Sequence, residues 1–176
     1  MEFEYTILDF IQNNFSHPIV DEVMKFFSFL GNSGWVWILL GVSLLFFKKT
    51  RKAGITVCLS LIFSLLICNI TLKPLIARMR PYDLKDGIKL IIDRPNDFSF
   101  PSGHTSASFA AAVALFAHNK RYGSIALTVA SFIAFSRLYL YVHFPTDVLG
   151  GMIIGTLCGI GAYFAIKYAY KKLSPN

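Results

Sequence analysis

Long stretches without a charged residue constrain this chain more than any other feature of its sequence. Four windows contain no Asp, Glu, Lys or Arg, and a fifth contains only Arg137; they are residues 26–47, 53–72, 98–119 and 148–166, and residues 122–142. About 20 helical residues at roughly 1.5 Å each cross a hydrocarbon core of about 30 Å. Each window therefore predicts one membrane-spanning helix, and no polar block between the windows is long enough to form a soluble domain.

The first 30 residues have a different pattern. Two groups of apolar residues follow helical spacing, and a polar stretch that ends at Pro18 separates them. Both groups are too short to span, so we expect two amphipathic helices in the membrane interface; one irregular sixth span over residues 3–30 is the alternative. The prediction is an all-α polytopic membrane helix bundle of five to six transmembrane helices, with an N-terminal interfacial part (residues 1–30) and a membrane-embedded core (residues 31–176).

The positive charge of the chain is concentrated after particular windows. The net charge is +7, and the basic residues that follow the first, third and last windows have no acid among them: Lys48, Lys49, Arg51, Lys52, Lys120, Arg121, Lys167, Lys171 and Lys172. The positive-inside rule makes that side cytoplasmic, in a multi-pass protein of the cell membrane. This distribution favours membrane lipids over nucleic acid as partners, and it leaves the oligomeric state open.

Three polar clusters lie at the opposite, outer ends of the spans. The first contains Lys73 and Arg80, which are seven positions apart and would share one face of a continuous helix. Arg78 is five positions from Lys73 and would point away, so it is a secondary candidate. Each cation alone could simply extend its amine or guanidinium to the lipid headgroups.

The second cluster is residues 100–105, Phe-Pro-Ser-Gly-His-Thr, ahead of a window rich in small residues. Ser102 is a good N-cap, and Gly103 lets a ligand approach the backbone. The free N–H groups at a helix N-terminus suit an anion such as phosphate. By itself this short sequence is weak evidence, since Ser-Gly is common in turns and His104 alone could be a bystander.

The third cluster combines Arg137 with His143 and Asp147. An arginine inside an apolar window is costly and implies a function that needs an anionic partner. Asp147, four positions after His143, could accept a hydrogen bond from one imidazole nitrogen and leave the other as a nucleophile.

Together the clusters offer three cations, backbone donors and two histidines, which is the set that phosphoryl transfer needs. Metal-ligand spacing is missing, so we expect metal-independent chemistry without a cofactor. A lipid or anion carrier would also bury cations, but at a midplane site between inverted halves. A non-catalytic scaffold would not need His104, His143 and Asp147 together.

The clusters resemble the three motifs of the type 2 phosphatidic acid phosphatase family, KxxxxxxRP, PSGH and SRxxxxxHxxxD, at residues 73–81, 101–104 and 136–147. The resemblance implies that His143 is a nucleophile forming phosphohistidine, oriented by Asp147. It implies His104 as the general acid and base. Phosphate would be bound by Lys73, Arg80, Ser102, Gly103 and Arg137. The implied substrate is a lipid-linked phosphate or pyrophosphate: undecaprenyl diphosphate, phosphatidylglycerophosphate or phosphatidate.

Other conspicuous residues receive plainer interpretations. We read His17 and His118 as bystanders, and Tyr82, Tyr139 and Tyr141 as part of an aromatic belt at the membrane surface. The charged loop over residues 82–98 would shape headgroup access. The stripe Gly151, Gly155 and Gly159 predicts close helix packing, and the cysteines Cys58, Cys68 and Cys158 receive no redox or metal role.

Overall fold

The computed structural model describes residues 2–173, all of whose regular structure is helical. The helices are α1 (Glu2–Phe15), α2 (Pro18–Gly31), α3 (Trp35–Leu45), α4 (Arg51–Ser64), α5 (Lys73–Ile76), α6 (Pro81–Leu84), α7 (Gly103–His118), α8 (Lys120–Tyr139) and α9 (Pro145–Leu173). A 3₁₀ turn (Asn32–Gly34) joins α2 to α3, and a π-helical stretch (Leu65–Leu72) joins α4 to α5. The all-α prediction is confirmed.

Three helical segments in the described part of the chain are long and apolar enough to cross a membrane: Pro18–Leu45, Arg51–Leu84 and Pro145–Leu173. The charge-free windows coincide with these segments and with α7 and α8. α7 is the central helix, packed against α4, α8 and α9. Nine of its 16 residues are buried, and most of them are Ala, Ser or Thr. It is therefore less apolar than a lipid-facing helix, because its neighbours are other helices.

The glycine stripe of α9 packs on α7, which confirms the prediction of close helix packing. A methyl group added at Gly159 would lie 2.8 Å from the carbonyl oxygen of Ala110, and one at Gly151 would lie 2.6 Å from that of Ser102. Only a hydrogen fits at these positions, so the two backbones can approach each other closely.

The N-terminal region forms two separate helices, α1 and α2, as its apolar spacing predicts. α2 belongs to the first long apolar segment, which begins at Pro18, but a kink at Ser33 (φ 51°) and Gly34 (φ 66°) separates it from α3. α1 exposes Phe3 and Phe10 but buries Leu8 and Ile11 against the rest of the protein. It packs on α8 and α9 at the end of the bundle that holds the motif residues.

Three tyrosines correct the aromatic-belt prediction. Tyr82, Tyr139 and Tyr141 are at most 6% exposed, so none of them lies at a lipid-facing surface. The hydroxyl of Tyr82 donates to the carbonyl oxygen of Pro95, at 2.9 Å, and that of Tyr141 donates to the Asp9 carboxylate, at 2.7 Å. These side chains fasten the N-terminal helices and the 82–98 loop to the bundle.

Candidate active site

The cations of the first motif do not share a helix face. α5 ends at Ile76 because Ala77 adopts a left-handed conformation (φ 48°), and Arg80 is extended ahead of Pro81. The expectation of one helical face is therefore wrong. Lys73 and Arg80 nevertheless converge, because each forms an ion pair with the same carboxylate, that of Asp97 in the following loop.

Asp97 is a residue of the site that the sequence does not single out. Its position predicts only a place in the loop that shapes headgroup access. Burial opposes its ionisation, but the hydrogen bond and charge of Lys73 and the charge of Arg80 outweigh that effect and lower the pKa of Asp97 to about 2. The backbone carbonyl of Asp97 also accepts a hydrogen bond from Arg80 Nε at 2.8 Å. Asp97 is thus paired with the two cations, Lys73 and Arg80, that the first motif predicts to bind phosphate.

The second motif forms the start of α7, and Ser102 caps the helix as predicted. Ser102 is the N-cap, and its hydroxyl accepts from the N–H of Thr105, at 3.5 Å. The N–H of Ser102 itself donates to the carbonyl oxygen of Asp147, at 3.0 Å, so it is not a free donor for an anion. The first N–H groups of the helix, beginning with Gly103, have no carbonyl one turn earlier to accept them. A methyl group at Gly103 would lie 2.6 Å from the side-chain oxygen of Asn69, which explains the glycine.

His143 lies in the turn between α8 and α9, Asp147 lies in the first turn of α9, and both are buried. His143 Nδ1 lies 3.5 Å from Asp147 Oδ2 and 3.5 Å from the hydroxyl of Ser99. On the other side of the ring, Arg80 Nη1 approaches Nε2 at 3.3 Å. Because arginine can only donate, this contact requires an unprotonated Nε2, and the ring proton then lies on Nδ1 beside Asp147.

Burial and the nearby charges act together on His143. Burial lowers the pKa of His143 below the ordinary value of 6.5, and the charges of Arg80, Arg137 and Lys73 lower it further, against the opposite effect of Asp97. The imidazole is therefore neutral near pH 7. All three motif cations contribute to this shift, so the positive charge converges on His143.

Arg137 is 2% exposed, and its Nη1 donates to the hydroxyl of Ser28 in α2. Its Nε is buried and has no hydrogen-bond partner among the residues that the structure describes. Buried polar atoms normally have partners, so an unpaired guanidinium nitrogen points to a ligand.

His104 lines two cavities. One, here called the apolar cavity, has a volume of about 570 Å³ and reaches from Lys73, Asp97 and Gly103 to apolar residues of α3 and α4. The other, here called the polar cavity, has a volume of about 780 Å³ and is lined by Arg137, Lys25 and Arg94 among others. The imidazole Nε2 lies 2.8 Å from the side-chain oxygen of Asn32, in the 3₁₀ turn.

The remaining histidines have structural contacts. His17 caps α2, its Nδ1 accepting from the N–H of Ile19 at 3.2 Å, and His118 shares a hydrogen bond with the hydroxyl of Thr56 at 2.8 Å. Within residues 2–173, no group of three or more His, Cys, Asp or Glu residues could hold a metal ion.

These features define a class of protein: a membrane-embedded helical bundle in which residues of three motifs surround a buried histidine flanked by cations. Residues 53–171 match the PAP2 superfamily. The chain belongs to this superfamily.

Relatives and solved structures support the assignment. The chain is 33% identical to an undecaprenyl-diphosphatase of Sulfolobus acidocaldarius over 76% of its own length and 65% of that protein. Its fold resembles the crystal structure of Aquifex aeolicus LpxE, with a TM-score of 0.78, 32% identity, and coverage of 90% of this chain and 93% of that one. It also resembles a transmembrane PAP2 type phosphatidylglycerolphosphate phosphatase from Bacillus subtilis, with a TM-score of 0.76, 29% identity, and coverage of 99% and 87%.

Proposed function

We propose that this protein is a membrane lipid phosphatase that hydrolyses a lipid-linked phosphate monoester or diphosphate through a phosphohistidine on His143. The observation that carries the proposal is that the two nitrogens of the His143 ring face groups of opposite charge. Its Nε2 faces Arg80 at 3.3 Å, while its Nδ1 faces the Asp147 carboxylate. A phosphoryl group held by the cations would therefore meet the unprotonated nitrogen.

The first step transfers the phosphoryl group. His143 Nε2 forms a bond to phosphorus as the bond to the leaving oxygen breaks, and His104 donates a proton to that oxygen. Lys73, Arg80 and Arg137 neutralise the phosphoryl oxygens, and the N–H of Gly103 donates to one of them. The Ser102 hydroxyl, which caps α7, supports the helix N-terminus that presents this N–H. Asp147 stabilises the positive charge that develops on the imidazole.

The second step releases phosphate. Water attacks phosphorus, the bond from phosphorus to Nε2 breaks, and His104 accepts the proton that water loses. No step requires a metal ion or a cofactor, because the cations supply the charge that a metal would provide.

The two cavities suit an amphiphilic substrate. The polar cavity is lined by Arg137, Lys25 and Arg94 and would hold a headgroup, while the apolar cavity would hold the adjoining part of a lipid chain. We favour a polyprenyl diphosphate, with phosphatidylglycerophosphate and phosphatidate as alternatives. The five apolar windows favour five crossings with residues 31–176 as the core, and a sixth span in the first 30 residues is the alternative. The basic residues after the first, third and last windows favour a site on the extracytoplasmic face.

The test is the release of inorganic phosphate in detergent with EDTA, from undecaprenyl diphosphate, phosphatidylglycerophosphate and phosphatidate. We expect EDTA-resistant release by the native chain and by His17→Ala, whose histidine only caps α2, and none by His143→Ala. Equal release by His143→Ala would refute the mechanism, and loss with EDTA would refute metal independence. Lipid phosphate binding without hydrolysis would favour a carrier. Labelling of a cysteine placed in residues 85–93 from outside intact cells tests the orientation.

A further inference from the structure

An acidic residue of α1 lies far from the motifs in sequence but is buried beside them. Glu4 is 9% exposed. One carboxylate oxygen accepts from Arg78 Nη2 at 2.6 Å, and the other accepts from the hydroxyl of Thr146 at 2.5 Å. A buried carboxylate is costly unless it is paired, so this one is held by specific contacts.

Arg78 connects Glu4 to the candidate active site. Its Nη1 donates to Asp147 Oδ1 at 2.6 Å, and its guanidinium lies over the ring of Phe144, 4.1 Å from the centroid. The planar guanidinium thus pairs with two carboxylates in a fixed geometry. On a continuous helix Arg78 would point away from the site, but α5 ends at Ile76, and Arg78 therefore reaches Asp147.

Asp147 is held on both oxygens. Oδ1 is paired with Arg78, and Oδ2 accepts from the N–H of Phe144 at 2.7 Å and from the hydroxyl of Ser99. Oδ2 is also the oxygen that faces His143 Nδ1. Arg78 is therefore one of three groups that hold the Asp147 carboxylate in its orientation towards the imidazole, and it is the one that holds Oδ1.

We propose that Glu4 and Arg78 are positioning residues of the active site, with Glu4 acting through Arg78 on Asp147. This inference rests on the proposed function of His143 and Asp147. Glu4 keeps Arg78 in place and balances its charge. Without Glu4, the full charge of Arg78 is directed to Asp147 and the guanidinium is free to shift, which draws the carboxylate away from His143. α1 is then part of the catalytic framework in addition to being a surface helix.

The first test compares Glu4→Gln with Glu2→Gln. Both variants lose one negative charge from the first turn of α1, but Glu2 is exposed. Misplacement of a catalytic group by about 1 Å can cost roughly 100-fold in rate. We expect Glu4→Gln to lower kcat by about 10-fold to 100-fold. KM and inhibition by inorganic phosphate should stay within about twofold of native, because neither Glu4 nor Arg78 lines the two cavities. Glu4→Asp, which keeps the charge, should recover part of kcat.

The second test asks whether the two residues act in series. If Glu4 works through Arg78, the double variant Glu4→Gln/Arg78→Gln should be no slower than Arg78→Gln alone. Thermal unfolding in the same detergent identifies variants that fail to fold. Should Glu4→Gln fail, Thr146→Val removes a hydroxyl that donates to Glu4 and accepts from Arg78 Nη1 at 2.6 Å, so it loosens the same Glu4–Arg78 pair and should also lower kcat.

Several outcomes would overturn the inference. Equal kcat for Glu4→Gln and Glu2→Gln would show that Glu4 does not position the site. Additive losses in the double variant would show that Glu4 acts independently of Arg78. If His143→Ala is inactive while Glu4→Gln keeps native kcat, only the positioning role fails. If His143→Ala stays active, the proposed function itself fails.

Discussion

Asp97→Asn should strengthen the inhibition of this protein by inorganic phosphate. In the structure, the Asp97 carboxylate is paired with both Lys73 and Arg80, the cations that we propose for the phosphoryl oxygens. Phosphate must therefore displace this carboxylate from at least part of its contacts. Replacing it with a neutral amide removes the competitor and leaves the cations in place.

The size of the effect follows from the ionisation of Asp97. A fall in its pKa from 3.8 to about 2 corresponds to about 2 kcal/mol of attraction to its surroundings. The side chain is 54% exposed, so solvent screening reduces this to about 1 kcal/mol. A difference of about 1 kcal/mol is roughly fivefold in affinity. Because the pKa is lowered, the competition is complete at pH 7 and is lost only as the pH falls towards that value.

The assay is the inhibition constant of inorganic phosphate at pH 7, measured for the native chain, Asp97→Asn and Asp86→Asn. Asp86 lies in the same loop, is exposed and lines neither cavity that touches His104, so its variant controls for net charge. We expect about fivefold tighter inhibition of Asp97→Asn and no change in Asp86→Asn. Unchanged or weaker phosphate inhibition of a folded Asp97→Asn would refute the proposal that Asp97 competes with phosphate. Equally tighter inhibition of both variants would show only a general effect of net charge.

Three further predictions concern packing, pH and the buried arginine. Gly155→Ala should lower the free energy of unfolding by about 1–3 kcal/mol, because its methyl group would overlap the backbone carbonyl oxygen of Ser106. Gly161→Ala has open space around the added methyl and should not lower it, and equal thermal shifts of the two variants would contradict the prediction. The acid limb of kcat/KM should lie below pH 6.5, since burial and then Arg80 lower the pKa of His143; a midpoint above 6.5 would refute it. Arg137→Lys should lower kcat/KM by about 10-fold or more, because lysine lacks the planar donors; near-native kinetics would exclude Arg137 from the site.

The local features of this chain were largely predictable. Charge-free windows indicate helices because a segment that crosses lipid must satisfy its backbone hydrogen bonds internally and present side chains without charge. This requirement does not depend on which helices are its neighbours. Ser102 was identified as an N-cap from its own neighbours, and the stripe that includes Gly155 indicated close packing from its spacing alone. The family followed from the three motifs, since their residue types and order do not depend on knowing the fold.

The tertiary structure decided which charges meet. Lys73 and Arg80 converge on Asp97 and not through a shared helix face, because α5 ends between them. Glu4 pairs with Arg78, 74 positions away. A pairing between distant charges leaves no period or spacing in the sequence, and the chain must fold before its contacts exist. The sequence by itself therefore determined the membrane helices and the chemical groups available for the site, while the packing of α1 and of the 82–98 loop determined how those groups are paired and held.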